Sequence, residues 1–360
     1  MGHENLKEKL INRFKQFLKG AKENTLLFYH SDADGLTASV IMAKTFEKLG
    51  NEAPLALPAE YFETEKMLSA FEKHKPANVI FLDIAIDSKP KVVQKIEKHA
   101  KLLVIDHHKI SNDISSEKTV FIKPQMLSAI EPSRYPASKL CFDLCSSLIN
   151  LKKEAWIACV GIIGDKSAKQ WREFLNKTSK ENNVSIEELK CIAELVEAVK
   201  VVAPESFAEL FELFYFLSPK QILKHPLNEM REKLNEALKE WQERFEKEAE
   251  YYSKLELYFF VMKPEFPIKS ALIDRLTEKY PDKTIIIVED LEEQKLRFSA
   301  RRQDFKVKMN ELLEKAAQGI PKSDAGGHIP AAAGSIPRGY LKEFKENLLN
   351  ILKEVYRKEK

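Results

Sequence analysis

Short apolar runs that stop on acidic or imidazole side chains constrain this chain more than any other feature. The run Thr25 to Tyr29 breaks into His30-Ser31-Asp32-Ala33-Asp34-Gly35. A second, "NVIFLDIAI" from Asn78, meets Asp83, and a third, "KLLVIDHHK" from Lys101, stops on Asp106, His107 and His108. Helical apolar spacing over Leu36–Leu49 and Lys89–His99 lies between them, and "KTVFIKP" (Lys118–Pro124) reads as a further strand. Short apolar strands alternating with helices specify βαβ units and a mainly parallel sheet, an α/β fold. In such sheets ligands bind outside the carboxyl ends of the strands, and the three acidic ends are expected side by side there.

The remaining pattern divides the chain. Leu6, Leu10, Ile11, Phe14 and Leu18 give an opening helix closed by Gly20, and residues 137–163 read as two helices. From there to about Lys254 the pattern is amphipathic and charged, without a strand signal, as in a helical insert or connector. From Leu255, "KLELYFFVMK", "KTIIIVED" and "KLRFSARR" read as strands, with helices at Ile268–Tyr280, Val307–Gln318 and Tyr340–Tyr356. The expected domains are residues 1–166, 167–254 and 255–360, the last a smaller α/β domain. A net charge of +3, from 58 basic and 55 acidic residues, announces no overall anion binder, so any anion site is local.

In an extended strand, His30, Asp32 and Asp34 project to one side. Such groups repel and desolvate one another unless a cation neutralises them. Taken alone, Asp32 and Asp34 read equally well as caps of the helix that starts near Gly35. Asp83, Asp106, His107 and Asp165, the last in "VGIIGDKS" after an apolar helix, shift the balance to a ligand cluster. Mixed carboxylate and imidazole donors without thiolate suit Mn²⁺, Mg²⁺, Zn²⁺ or Fe²⁺, and their number suits two ions. The four cysteines, Cys141, Cys145, Cys159 and Cys191, fall in helical patterns and read as small core residues. With no signal peptide, apolar membrane-spanning run or lipidation motif, a reducing cytoplasm is the expected compartment.

The ordered motifs "HSDADG", the Asp83 strand end, "DHH" and "GIIGD" resemble the DHH phosphoesterase superfamily over about residues 25–166. The superfamily includes RecJ-like exonucleases, oligoribonucleases, cyclic-dinucleotide phosphodiesterases and manganese pyrophosphatases. The resemblance implies one metal on His30, Asp32 and Asp83, and another on Asp34, Asp83, His107 and Asp165. It also implies a phosphate-facing His108 and an Asp106 that orients a histidine. Bacterial members place the first histidine four residues before the first aspartate, whereas His30 is two before Asp32.

A second feature is "SDAGGHIPAAAGS", Ser323 to Ser335. Gly326 and Gly327 permit a tight loop that approaches an anion, and "LRFSARR" carries Arg297, Arg301 and Arg302, suited to phosphate. Together they resemble a DHHA1 domain over about residues 256–357, whose glycine-glycine-histidine loop and serine-arginine strand grip a sugar-phosphate. Ser299, Arg301, Gly326, Gly327 and His328 are the implied substrate-binding residues. Here "IPA" intervenes before "AAG". Arg134, in the connecting loop after the Lys118–Pro124 strand, is a further substrate-binding candidate.

The resemblance implies a nuclease nearest to archaeal RecJ-like exonucleases, including the Hef-associated nuclease. Such an enzyme uses two Mn²⁺, or Mg²⁺ or Co²⁺, and acts on single-stranded DNA or RNA with 3′ to 5′ polarity, releasing nucleoside 5′-monophosphates. Its expected partners are single-stranded nucleic acid, a helicase or other replication-repair protein, and other copies of itself, with no membrane. The alternatives are a short-oligonucleotide or cyclic-dinucleotide phosphodiesterase and an inactive nucleic-acid-binding scaffold.

Overall fold

The computed structural model describes residues 2–291 and 294–358. It forms two compact units, residues 1–231 and 232–360.

The first unit opens with α1 (Gly2–Gly20), β1 (Thr25–Tyr29), α2 (Ala33–Lys48), β2 (Leu55–Pro58) and α3 (Thr64–His74). It continues with β3 (Asn78–Leu82), α4 (Pro90–Glu97), β4 (Lys101–Ile105) and β5 (Thr119–Ile122). The five strands pair in parallel in the order β2-β1-β3-β4-β5, so the ends of β1, β3 and β4 are neighbours, as expected. Every residue of β1 and β3 is buried, which is why their sequences run apolar without alternation. On one face Leu27, Tyr29, Ile80, Leu82, Leu103 and Ile105 pack against α2, α5 (Ala137–Ser146) and α6 (Ala155–Gly164). On the other, Phe28, Phe81 and Val104 meet Met67 and Phe71 of α3 and Val93 and Ile96 of α4.

The helical stretch expected as a connector is divided between the units. The helices α7 (Arg172–Glu181), α8 (Ile186–Val202), α9 (Glu209–Phe216) and α10 (Pro219–Ile222) send Leu175, Leu189, Ile192, Phe214 and Ile222 into the first unit's core. The last helix of the stretch, α11 (Asn228–Glu248), carries Trp241 and Phe245, which pack edge-on against Phe260 in the second unit.

That unit holds β6 (Glu250–Tyr252), β7 (Leu257–Met262), α12 (Lys269–Lys279), β8 (Thr284–Glu289) and β9 (Lys295–Arg301). It ends with α13 (Met309–Ala317), β10 (Asp324–His328), β11 (Ala331–Pro337) and α14 (Leu341–Lys358). Its sheet runs β10-β11-β9-β8-β7-β6, with only β7 and β8 parallel. The strand β6 falls where no strand was expected, because three residues on a sheet edge are too few to show alternation. Leu296, Phe298 and Ala300 of β9 join the core under α13 and α14, and α12 covers β8 and β9 from the other side.

Candidate metal centre

The first unit gathers its polar residues where β1, β3 and β4 end. After Tyr29 the chain turns at once, and Asp32 caps α2, its Oδ1 accepting the Gly35 N–H at 2.9 Å. The strand therefore does not extend through Asp34 as the sequence suggested. His30, Asp32 and Asp34 converge instead as strand end, helix cap and first helical turn, so the cap and cluster readings of Asp32 describe one residue with two contacts. A Cβ at Gly35 would lie 2.3 Å from the His30 carbonyl oxygen, so only glycine permits this turn. Asp34 is buried and accepts the N–H groups of Ala137 and Ser138 at 2.7 and 2.9 Å, the otherwise unpaired donors that open α5.

Asp83 follows β3 with φ of 59°, in the left-handed region that aspartate tolerates better than most side chains. Its side chain is 2% exposed and stands between two imidazoles. One oxygen lies 3.4 Å from His30 Nδ1, which is itself 2.7 Å from Asp32 Oδ2. The other lies 3.4 Å from His107 Nε2 and 3.9 Å from His108 Nδ1. Asp34 and Asp165 each approach His107 Nε2 to 3.9 Å. Two donor groups with metal-binding spacing result, His30 with Asp32 and Asp83, and Asp83 with His107 and His108, sharing Asp83.

The electrostatics fit a cation. Burial, then repulsion among the aspartates, pushes Asp83 well above the ordinary carboxylate range, raises Asp34, and lifts Asp165 to about 7. Burial opposes charge on His30, yet its hydrogen bonds to Asp32, Asp83 and Glu60 prevail and push it up to about 12. Asp83 Oδ1 is buried without a hydrogen bond. Carboxylates and imidazoles with such an unpaired oxygen suit divalent ions of the Mn²⁺ and Mg²⁺ type.

Two supporting residues escaped sequence reasoning. Glu60, after β2, places a carboxylate oxygen 3.1 Å from His30 Nε2, fixing the ring so that Nδ1 faces the aspartates. The strand leading to it is four residues long and bounded by proline, which hid both. Lys123, just past β5, is fully buried, with Nζ 2.9 Å from Asp106, 3.0 Å from Asp87 and 3.0 Å from the His108 carbonyl. Asp106 in turn holds His108 Nδ1 at 2.7 Å, so it orients the second histidine of the pair. The signal for Lys123 was a lysine inside "FIKP", directly after an apolar strand.

Arg134 is exposed and lines a cleft with Lys166, Ser167, Lys169 and Gln170, beside Asp165. Cys141, Cys145 and Cys159 are buried core thiols, and burial pushes Cys145 up to about 12.

In the second unit, the residues expected in a glycine-rich loop form strand β10 instead. Ile329 and Pro330, the extra residues before the alanines, make the tight turn to β11. Strand register puts Ser299 opposite Ala333 and Gly326, and Arg301 opposite Ala331 and His328. Paired residues share a face, so Ser299, Arg301, Gly326 and His328 lie on one side of the sheet while Gly327 falls on the other. Lys269 of α12, absent from the sequence reading, donates from Nζ to Ser299 Oγ at 2.7 Å. Arg302 departs from the expected phosphate role. It is buried and bonded to Glu256, Asp304, Thr284 and Tyr356, because it sits one position out of phase with Arg301 at the end of β9.

The family model "DHH family, N-terminal domain" matches residues 24–164, and that of the DHHA1 domain matches residues 266–358. Among solved structures, a DHH-domain protein described as a member of a family of ribosomal proteins superposes with TM-score 0.73 at 18% identity, covering 97% of this chain and 92% of that one. Exonuclease RecJ bound to manganese gives 0.71 at 16%, covering 97% and 94%. RecJ from Thermus thermophilus with Mn²⁺ also gives 0.71, at 15%, covering 96% of this chain and 55% of that one. No curated protein matches this sequence.

Proposed function

Since this chain belongs to the DHH/DHHA1 phosphoesterase superfamily, we propose that it is a divalent-metal-dependent exonuclease of single-stranded DNA or RNA that releases nucleoside 5′-monophosphates. The observation that carries this reading is the pair of donor groups sharing Asp83. His30, Asp32 and Asp83 hold one ion, and Asp34, Asp83, His107 and Asp165 hold the other. Two such ions supply charge neutralisation and Lewis acidity toward phosphoryl oxygen. Mn²⁺ is the preferred ion in this reading, supported by the manganese-bound RecJ structures, with Mg²⁺ and Co²⁺ as substitutes.

The protein's own residues position the substrate. Asp106, braced by Lys123, fixes His108 Nδ1 and raises the imidazole's pKa, which favours a charged ring turned to a phosphate oxygen. Arg134, with Lys169 in the same cleft, provides cationic contacts beside Asp165. In the second unit, Ser299, Arg301, Gly326 and His328, which share one face of the sheet, grip the sugar-phosphate, with Lys269 joining them through Ser299. The reading extends to 3′ to 5′ polarity, a helicase partner and action in the cytoplasm. Among the described residues no helix is long and apolar enough to cross a membrane.

Digestion of 5′- and 3′-labelled single strands of DNA and RNA in Mn²⁺, over a series of lengths, tests the proposal. Mononucleotide release from long strands supports it. Activity confined to a few nucleotides or to cyclic dinucleotides overturns the exonuclease.

A further inference from the structure

Beside the metal centre, the turn after β2 exposes two aromatic rings. Tyr61 is 51% and Phe62 63% exposed, and their rings meet edge to face with centroids 5.3 Å apart. Burial normally claims such side chains in a chain that packs its cores tightly, and these two have no place in any of the hydrophobic clusters among the described residues.

The turn that carries them is held firmly. The Glu63 N–H donates to the Glu60 carbonyl at 2.9 Å, and the Glu60 N–H donates to the Glu63 carboxylate at 3.0 Å, leaving Tyr61 and Phe62 between the two bonds. Upstream, the Ala59 N–H donates to the Tyr29 carbonyl at 2.9 Å, keeping the turn at the ligand-bearing end of β1. The Glu60 side chain bonds His30 at 3.1 Å and approaches Lys200 to 3.6 Å. The aromatic pair thus begins one peptide, about 3.8 Å between Cα atoms, from a residue that touches the metal cluster.

We infer that Tyr61 and Phe62 form a stacking platform for a nucleobase of the substrate strand, next to the scissile phosphate. Exposed aromatic faces bind bases of any identity, and a polyphosphate chain offers them nothing to stack on. The cluster reads phosphate and the platform reads the base, which selects nucleic acid over inorganic polyphosphate. This inference rests on the nuclease reading and narrows its substrate class.

The test uses the full chain with Ca²⁺ in place of Mn²⁺, so that the carboxylate cluster stays neutralised while hydrolysis is suppressed, with the strand checked intact by gel after each titration. Fluorescence anisotropy compares a labelled single-stranded thymidine oligomer with an abasic oligomer of equal length and charge. Wild type is expected to prefer the base-bearing strand by roughly tenfold, the scale of one base stacked on an aromatic ring. The double variant Tyr61→Ala/Phe62→Ala is expected to lose that preference while keeping its affinity for the abasic strand, and Tyr61→Phe with Phe62→Tyr is expected to restore it. A double variant that keeps the preference, or weakens both strands equally, overturns the platform. So does a wild type without preference, which leaves the nuclease reading standing if it still digests the thymidine strand in Mn²⁺. A wild type that neither binds nor digests either strand overturns both.

Discussion

The Lys123 ammonium lies 2.9 Å from the Asp106 carboxylate, and neither side chain is exposed. Asp87 completes the group at 3.0 Å. A cation between two buried carboxylates cannot be removed quietly, because breaking a buried pair leaves charge uncompensated.

Lys123→Met is therefore expected to destabilise the protein by about 3 to 5 kcal/mol, measured by urea unfolding. Residual folded enzyme should also turn over more slowly, since Asp106 loses the brace that aims it at His108. Wild-type stability in this variant would remove the buried triad from the account.

Asp83→Asn keeps the shape of the shared ligand and removes its charge. Hydrolysis is expected to vanish, and the rise in melting temperature that Mn²⁺ confers on wild type should largely disappear. Without metal the variant should melt no lower than wild type, because burial and neighbouring aspartates already disfavour the Asp83 charge. Retained turnover would rule out a shared bridging carboxylate.

In the second unit, Arg301→Ala and His328→Ala are expected to raise KM roughly tenfold or more while changing kcat only a few-fold, the pattern of lost substrate binding. Arg301 also contacts Asp274 at 3.2 Å, so each variant's melting temperature should be recorded beside its kinetics. A fall in kcat at unchanged KM would assign these residues to the chemistry.

Glu256 provides an acid-sensitive contact. Its hydrogen bond to Arg302, followed by one from Tyr356, brings it down to about 2, against about 4.3 for an unfolded glutamate. Between those values the unfolded chain binds more protons, so stability rises with pH. The contribution is full above the unfolded value and is lost as pH falls toward 2. Glu256→Gln should consequently lower the melting temperature at pH 7, with the difference from wild type shrinking on acidification. A difference that stays constant with pH would mean the glutamate acts through packing alone.

Much of the candidate site was readable because buried parallel strands are continuous apolar runs, and their ends announce themselves by an abrupt change to Asp and His. That sufficed to bring Asp83, His107 and His30 together from sequence. Lys123 and Glu60 were hidden for different reasons. A lone lysine ordinarily reads as solvated, and only tertiary packing makes Lys123 a buried counter-charge. Glu60 follows a strand too short and too proline-bound to be seen. Glycine's poor strand propensity likewise disguised β10 as a loop, and strand phase separates Arg301 from the structurally committed Arg302.

The two hydrogen bonds from α5 to Asp34 have a consequence for descent. A lineage released from hydrolysis is free to replace Asp165, whose side chain bonds its near neighbour Ser167 at 2.9 Å and approaches His107 within the site itself. Asp34 is not free in the same way, because it also satisfies the start of a core helix. Decay of such a site should follow the scaffold's needs, erasing Asp165 early and leaving Asp34 as a fossil of the lost chemistry.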